Sequence, residues 1–175
     1  MKKTLLYIHG YGSDRNSRKF LDLKNYFGAE YNCHCLEWMV QSDIEHLLRL
    51  ALRKCEKISR LVIIGDSTGA NLAYQLREMR SVPEDKLILL SPLLDVSTRL
   101  RNIPFPIAFE KQLIKIINPE KCLIIAARED EVIDQTVIFH QKDTQFVLHE
   151  VKDGHRLEKF TEYLPLIRDY INSMN

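Results

Sequence analysis

The sequence predicts an α/β fold with three layers, in which an open, mostly parallel sheet of about six strands lies between helices. Its branched apolar runs are nearly continuous rather than alternating, as in strands that are covered on both faces. Between these runs lie stretches whose apolar residues recur every three to four positions, as in amphipathic helices. Strands and helices alternate along the chain, and right-handed crossovers then place helices on both faces of a parallel sheet.

Six strands account for the apolar runs. The predicted strands are residues 4–9, 31–36, 60–65, 86–91, 121–127 and 145–151. An open parallel sheet binds ligands at the carboxyl ends of its strands, where neighbouring strands send their helices to opposite faces. Candidate functional residues are therefore expected in the loops that follow strands.

Helices are predicted from the spacing of apolar residues. The residues that define them are Phe20, Leu23 and Phe27; Ile44, Leu47, Leu48, Leu52 and Cys55; Leu72, Leu76 and Met79; and Phe160, Leu164, Ile167 and Ile171. Ser42 and Glu45 predict a capping box at the start of the second helix, and Gly28 predicts a left-handed residue at the end of the first. A crossover helix is predicted from Ile107 onward, after an irregular Pro-rich segment.

The composition indicates one domain over residues 1–175. The 25 basic and 24 acidic residues form no block of like charge, so neither nucleic acid nor a membrane is expected as a partner. The N-terminal segment MKKTLLYIHGYG has too short an apolar region for a secretory signal or a membrane span. We therefore expect a cytoplasmic protein whose four cysteines are reduced thiols.

A Gly-x-Ser-x-Gly motif follows the third predicted strand, in the segment GDSTGAN. Ser67 lies at a strand-turn-helix corner, which is the context that a nucleophilic serine requires in such a motif. A serine there adopts a strained backbone with positive φ, and side chains at Gly65 and Gly69 would collide across the turn. The motif therefore predicts that Ser67 is a nucleophile rather than an ordinary turn residue.

A serine nucleophile needs a base, usually a histidine that a carboxylate orients. Of the six histidines, only His155 falls in a loop after a strand other than the first. Asp130, just past the fifth strand, is the expected carboxylate, with Asp95 and Asp134 as alternatives. The order Ser67, Asp130, His155 is that of an α/β-hydrolase triad.

Two backbone N–H groups are expected to stabilise a developing oxyanion. One is that of Thr68, at the start of the helix that follows the serine, where the helix dipole adds to the effect. The other is that of Tyr11, in the loop after the first strand, HGYGS. Because both are backbone groups, any side chain is compatible with these roles.

The chain resembles the α/β-hydrolase superfamily and, within it, the small bacterial YqiA-type esterases. The resemblance runs through the segments LLYIHGYGS, GDSTGAN, EDEVIDQTVIFH and DGHRLEKFTEYLPLIRDYI. It implies a minimal hydrolase fold without a large cap, with Ser67, Asp130 and His155 as a catalytic triad that cleaves short carboxylic esters or thioesters. Asp66 and Thr68 depart from the serine and leucine of those relatives, which bears on substrate preference.

Other residues have competing interpretations. Trp38 either lines an acyl pocket or covers the sheet edge, and residues 97–106 either form a short lid with Phe105 facing the substrate or a structural connection. The CHC segment suggests a metal ligand pair, but adjacent strand residues point to opposite faces and no second pair has suitable spacing. Asp66 is interpreted as a hydrogen-bond acceptor that stabilises the turn rather than as a second catalytic acid. Arg128 and Arg156 either attract anionic substrates or, as favoured, pair with Glu129, Glu131 or Glu158. Glu129 and Glu131 are expected to be surface charges.

The sequence therefore predicts a serine hydrolase that acts on a small-molecule acyl substrate and requires no cofactor or metal. Short, unbranched acyl chains are expected, because little sequence is available for a cap or a long tunnel. A catalytically weak protein that uses the same fold for binding is one alternative, since fold alone does not establish function. Acyl transfer to an alcohol or amine instead of water is another. The sequence does not indicate an oligomeric state.

Overall fold

A parallel sheet of six strands forms the centre of the computed structural model, which describes residues 2–100, 104–142 and 144–173. The strands are β1 (Lys3–Ile8), β2 (Tyr31–Leu36), β3 (Leu61–Asp66), β4 (Lys86–Leu90), β5 (Glu120–Ala127) and β6 (Gln145–Val151). They agree with the six predicted strands to within one residue at each end. The predicted α/β fold with an open parallel sheet is confirmed.

Helices connect the strands and cover the sheet on both faces. They are α1 (Arg18–Phe27), α2 (Ile44–Lys54), α3 (Thr68–Arg80), α4 (Ile107–Glu110), α5 (Thr136–His140) and α6 (Phe160–Asn172). A single 3₁₀ turn, Val96–Thr98, lies between β4 and α4 in the described part of the chain. Among the described residues, none of the helices combines the length and the apolar character that crossing a bilayer would need.

The strand order is β2-β1-β3-β4-β5-β6, with every neighbouring pair parallel. Helices α1 and α6 contact each other on one face, and α2 and α3 contact each other on the opposite face. Adjacent strands β1 and β3 thus send their following helices, α1 and α3, to opposite sides of the sheet. This pair is the switch point at which the sequence predicts a site.

Two apolar clusters fill the space between the sheet and its helices. Alternate residues of β3 divide between them: Leu61 and Ile63 pack toward α2 and α3, and Val62 and Ile64 pack toward α1 and α6. All four are buried. Because both faces of the strand are covered, its sequence is continuously apolar, and its position is fixed from both sides.

Helix α2 begins one residue later than the predicted capping box requires. Its N-cap is Asp43, whose Oδ1 accepts a hydrogen bond from the His46 N–H at 2.9 Å. Ser42 instead accepts a hydrogen bond from the Met39 N–H at 2.9 Å, and so closes the preceding turn. The capping box at Ser42 is therefore wrong, because an aspartate one position later competes for the same backbone groups.

Gly28 is not left-handed, contrary to the prediction: its φ is −62° and its ψ −17°. A Cβ at this position would overlap the Lys24 carbonyl oxygen. Glycine is therefore favoured at position 28 because the backbone approaches closely, and not because the turn is left-handed.

The helix predicted from Ile107 onward is shorter than expected, since α4 has only four residues. After α4, the Asn71 side chain is hydrogen-bonded to both backbone groups of Ile114. Asn71 Oδ1 accepts from the Ile114 N–H at 3.2 Å, and Asn71 Nδ2 donates to the Ile114 carbonyl at 2.8 Å.

Candidate active site

Ser67 lies in the sharp turn between β3 and α3, with φ 54° and ψ −119°. Non-glycine residues rarely adopt such a positive φ, and this strain persists only where surrounding contacts impose it. The Ser67 N–H donates to the Leu90 carbonyl at 2.8 Å, and the Ser67 carbonyl accepts from the N–H groups of Ala70 and Leu93 at 3.0 and 3.1 Å. The end of β4 and the start of α3 therefore hold the serine in its strained geometry.

The two glycines of the motif allow this turn for steric reasons. A Cβ at Gly65 would lie 2.6 Å from the Cβ of Ala73, which is far inside van der Waals contact. A Cβ at Gly69 would overlap the carbonyl oxygens of Ile8 and His9. Helix α3 can therefore approach β1 and β3 closely only with glycine at both positions, as the sequence predicts.

The side chains of Ser67, His155 and Asp130 form one hydrogen-bonded chain. His155 Nε2 lies 3.0 Å from Ser67 Oγ, and His155 Nδ1 lies 2.8 Å from Asp130 Oδ2. A carboxylate accepts only, so Nδ1 carries the proton that points toward Asp130, and Nε2 is left as an acceptor for the serine hydroxyl. The histidine side chain is 13% exposed and the aspartate side chain 0%.

Hydrogen bonds from several directions fix the Asp130 carboxylate. Its Oδ1 accepts from the N–H groups of Val132 and Ile133, both at 2.9 Å, and its Oδ2 accepts from Gln135 Nε2 at 3.2 Å. Burial alone would raise the pKa of Asp130, but the hydrogen bond and charge of His155 and the two backbone N–H groups together lower it. Asp130 is therefore ionised near neutral pH. Gln135 is a part of this arrangement that the sequence did not reveal.

The two alternative carboxylates, those of Asp95 and Asp134, interact with groups other than His155. Asp95 accepts from the Ser97 N–H at 2.9 Å and pairs with Lys115 at 2.7 Å. Asp134 precedes α5 rather than lying within it, and its Oδ1 accepts from the Thr136 N–H at 2.9 Å. Within the described ranges, neither carboxylate is hydrogen-bonded to a histidine.

The loop after β1 passes directly over Ser67. A Cβ at Gly10 would lie 3.2 Å from the Ser67 Cβ, so only a glycine permits this approach without a shift. Tyr11 follows Gly10, and Thr68 follows Ser67 as the first residue of α3. In the part of the chain that the structure describes, neither the Tyr11 N–H nor the Thr68 N–H donates to a protein oxygen. Both predicted donors are thus free of protein acceptors beside the serine.

His9 holds this loop in place, a function that the sequence did not reveal. Its Nδ1 donates to the Gly10 carbonyl at 2.8 Å, and its Nε2 accepts from the Trp38 N–H at 3.2 Å. The Trp38 indole N–H donates back to the His9 carbonyl at 2.8 Å, and the indole stacks on Phe109 with ring centroids 4.9 Å apart. A histidine followed by glycine at the end of a strand was the available signal, but its partner Trp38 lies 29 positions away.

Trp38 and Phe105, the two residues predicted to line a pocket, are both buried, each 5% exposed. Trp38 packs between His9 and Phe109, and the Phe105 ring contacts the Tyr11 ring edge-on at 5.3 Å. They therefore support the loop after β1, and contact of either residue with an acyl group remains a prediction. The segment 97–106, for which a lid and a structural connection are the two alternatives, falls partly outside the described residues, which omit 101–103.

The loop that carries His155 is anchored by two residues to which the sequence assigned no such role. Glu131 Oε2 accepts from the His155 N–H at 3.0 Å, so Glu131 is not simply a surface charge. Arg18, at the start of α1, donates to the carbonyl oxygens of three successive residues at 2.8 to 3.1 Å, namely Arg156, Leu157 and Glu158. These bonds fix the backbone on both sides of the histidine ring.

Two charge assignments differ from the sequence prediction. Arg128 pairs with Glu150 on the neighbouring strand β6 at 2.9 Å, and the residue in register with Glu150 is Ala126, two positions before Arg128. Asp66 is an acceptor as predicted, but its partners are Lys19 at 2.6 Å and the Tyr7 hydroxyl at 3.3 Å, not groups of its own turn. The carboxylate therefore links β3 to α1 and β1.

The described residues contain no cluster of His, Cys, Asp or Glu that could hold a metal ion. All four cysteines are free, and burial raises the pKa of the Cys35 and Cys122 thiols to about 12. Cys33 and Cys35 lie on β2 with half-buried side chains. The CHC segment is accordingly a packed strand in this structure.

Solved structures of similar fold are readily found, although sequence comparison finds neither a matching family model nor a curated relative. A protein of the alpha/beta hydrolase superfamily from Xanthomonas campestris has 19% identity and a TM-score of 0.65, over 96% of this chain and 99% of that chain. The Pyrococcus furiosus esterase Pf2001 has 19% identity and a TM-score of 0.68, over 97% and 80% of the two chains. Est1E from Butyrivibrio proteoclasticus has 14% identity and a TM-score of 0.71, over 98% and 89%. Identities this low establish a shared fold and leave the chemistry to be argued from this chain's own residues.

Proposed function

We propose that this chain, which has the α/β-hydrolase fold, is a serine hydrolase that cleaves carboxylic esters or thioesters of short acyl chains. The observation that carries the proposal is the hydrogen-bonded chain from Ser67 Oγ through His155 to the buried Asp130. A nucleophile, a base within reach of it and a carboxylate that orients the base are the parts that acyl transfer to serine requires.

In the first step Ser67 Oγ attacks the acyl carbonyl carbon as His155 Nε2 takes the hydroxyl proton. Asp130 keeps the other ring nitrogen protonated and stabilises the imidazolium that forms. The carbonyl oxygen becomes an oxyanion, and the free N–H groups of Tyr11 and Thr68 are the donors for it. The dipole of α3, whose first residue is Thr68, favours negative charge at the same place.

The tetrahedral intermediate collapses when the leaving alcohol or thiol takes the proton from His155. The acyl group is then bound to Ser67 as an ester. A water molecule, deprotonated by His155, attacks this ester through a second oxyanion, and its collapse returns the proton to Ser67 and releases the acid. Every proton transfer uses groups of the chain and the substrate, so no cofactor is required.

The connection between β4 and β5 supports the preference for short acyl chains, because it contains little regular structure. Its described residues form only one 3₁₀ turn and the four-residue helix α4, which leaves no large cap over the serine. Phe105 and Trp38 are both buried next to the loop after β1. Membership of the YqiA-type subgroup and a cytoplasmic location remain predictions from the sequence.

The test is hydrolysis of p-nitrophenyl acetate, butyrate and octanoate by wild type and by Ser67→Ala. Loss of the nucleophile is expected to lower turnover by roughly three to six orders of magnitude, with the fastest wild-type rates on the two shorter esters. Asp134→Asn, which alters an exposed carboxylate near Asp130, is the matched control and should retain activity. A fluorophosphonate should label Ser67 in the wild type.

Equal slow rates for wild type and Ser67→Ala, with no labelling of Ser67 in folded protein, would refute the proposal and favour a binding function. Equal or faster turnover of chains of about twelve carbons would contradict the short-chain preference, because a deep apolar pocket is needed to bind them. Products formed with an added alcohol or amine in place of the free acid would instead identify an acyltransferase.

A further inference from the structure

Asp66 places a carboxylate immediately before the proposed nucleophile. It is the last residue of β3, and its side chain is 13% exposed. A Cβ at Gly10 would lie 3.8 Å from Asp66 Oδ2, so this carboxylate borders the loop that presents the Tyr11 N–H. A negative charge there opposes the formation of an oxyanion on the adjacent Ser67 adduct, because Coulomb interactions are strong where water is largely excluded.

Lys19 is placed to cancel this charge. It belongs to the first turn of α1, its side chain is 9% exposed, and its Nζ lies 2.6 Å from Asp66 Oδ1. The Tyr7 hydroxyl donates to the other carboxylate oxygen at 3.3 Å. Burial and then the charge of Asp66 raise the pKa of Tyr7 well above its usual value, so the tyrosine stays neutral and Lys19 is the cation of this group.

We propose that Lys19 is a positioning residue for catalysis, which neutralises Asp66 so that the oxyanion forms beside an ion pair instead of beside an uncompensated carboxylate. The inference rests on the proposed serine hydrolase function and adds a residue to it that touches neither the substrate nor the reacting atoms. Asp66 itself has a structural reason to be present, because its two oxygens join β3 to α1 and to β1 through Lys19 and Tyr7.

A purely structural link between α1 and the turn at Ser67 is the competing explanation. The two explanations differ in the effect of removing both partners. If the pair is only a link, Lys19→Met and the double variant both lack the contact and should be equally slow, whereas the Asp66→Asn oxygen can still accept from Lys19. If the charge matters, the double variant is faster than Lys19→Met, because only Lys19→Met leaves a negative charge beside the oxyanion.

The experiment measures kcat and KM for p-nitrophenyl acetate with wild type, Lys19→Met, Asp66→Asn and the double variant. We expect Lys19→Met to lower kcat on the order of tenfold or more with little change in KM, since the ester carbonyl of the ground state carries no full charge. Asp66→Asn should keep a kcat at or above the wild-type value. The double variant, which has neither charge, should recover most of the kcat lost in Lys19→Met.

Three results would overturn the inference. They are equal loss in both single variants, a Lys19→Met variant with wild-type kcat, and a double variant as slow as Lys19→Met. If Lys19→Met does not fold, Asp66→Ala decides, because it removes both the contact and the charge: a structural link predicts lower kcat, whereas a neutralised charge does not. Active-site titration with a fluorophosphonate normalises each rate to folded, reactive protein. A wild type that neither hydrolyses the ester nor is labelled at Ser67 would overturn the proposed function together with the inference, whereas failure of the inference alone leaves wild-type turnover and labelling intact.

Discussion

Replacement of Asp130 by asparagine tests the proposed mechanism at its most buried point. The asparagine oxygen can still accept from the N–H groups of Val132 and Ile133, which now bond to Oδ1. The new NH₂ group takes the place of Oδ2, where it meets two donors, His155 Nδ1–H and Gln135 Nε2. The smallest rearrangement is for His155 to carry its proton on Nε2 instead of Nδ1. His155 Nε2 then can no longer accept the proton of Ser67.

The size of both effects follows from these contacts. An inverted tautomer in this kind of triad lowers kcat by about ten-thousand-fold, which corresponds to about 5.4 kcal/mol in the activation free energy. Gln135 loses its acceptor on residue 130, and an unsatisfied buried group costs about 1–3 kcal/mol in the free energy of unfolding. For a chain of this size we therefore expect Tm to fall by several degrees while the protein still folds.

The assay is steady-state hydrolysis of p-nitrophenyl acetate, with Tm measured on the same samples. KM should change little, because Asp130 does not contact the substrate in the proposed mechanism. Asp134→Asn is the control in the same loop, and it should keep both kcat and Tm close to the wild-type values. The reasoning is refuted if folded Asp130→Asn retains kcat within about tenfold of wild type.

Two further predictions concern stability and the loop after β1. Hydrogen bonds from Lys115 and then from the Ser97 N–H lower the pKa of Asp95 to about 2. Solvent screens this pair, because the Lys115 side chain is 66% exposed, so the expected contribution to stability is about 1 kcal/mol. The contribution is fully present above the unfolded pKa near 3.9 and is lost as pH falls toward 2. Urea unfolding of Asp95→Asn from pH 6 to 2 should show a shallower acid decline than wild type, and parallel curves would contradict this. Trp38→Phe removes the indole N–H that donates to the His9 carbonyl. This loss should lower the free energy of unfolding by about 1 kcal/mol. It should also lower kcat more than it raises KM. Unchanged kcat in a destabilised Trp38→Phe would show that this hydrogen bond does not position the oxyanion donors.

The fold could be predicted from the sequence because its signals are local. The apolar run of β3 is continuous because both faces of the strand are covered. Each residue of Leu61–Ile64 is buried, and its apolar side chain is visible in the sequence. The turn at Ser67 was predictable for the same reason, because Gly65 and Gly69 are needed within two positions of the strained residue. Parallel topology then brings the loops of Asp130 and His155 to the same edge of the sheet.

The remaining contacts of the site could not be predicted, because they join residues that are distant in the sequence and have several possible partners. Lys19 is one of many lysines, and nothing local indicates that its Nζ reaches Asp66, 47 positions away. The three carbonyl oxygens that accept from Arg18 lie 138 to 140 positions away, in backbone groups that every residue has. The incorrect N-cap prediction at the start of α2 had a different origin. Ser42 and Asp43 are adjacent, and either side chain can cap a helix. Ser42 is instead hydrogen-bonded within the preceding turn, so Asp43 is the N-cap.

The position of each strand in the sheet gives the two halves of the site different resistance to local unfolding. Ser67 follows β3, which has a hydrogen-bonded strand on either side, so its amide can exchange with solvent only when the centre of the sheet opens. His155 follows β6, a strand at the edge of the sheet, and its loop is retained by Arg18 and Glu131. Mild denaturation should therefore unfold the loop of His155 while the turn at Ser67 and the sheet remain folded. Loss of ester hydrolysis would then measure local unfolding at the edge strand β6 and not unfolding of the whole protein.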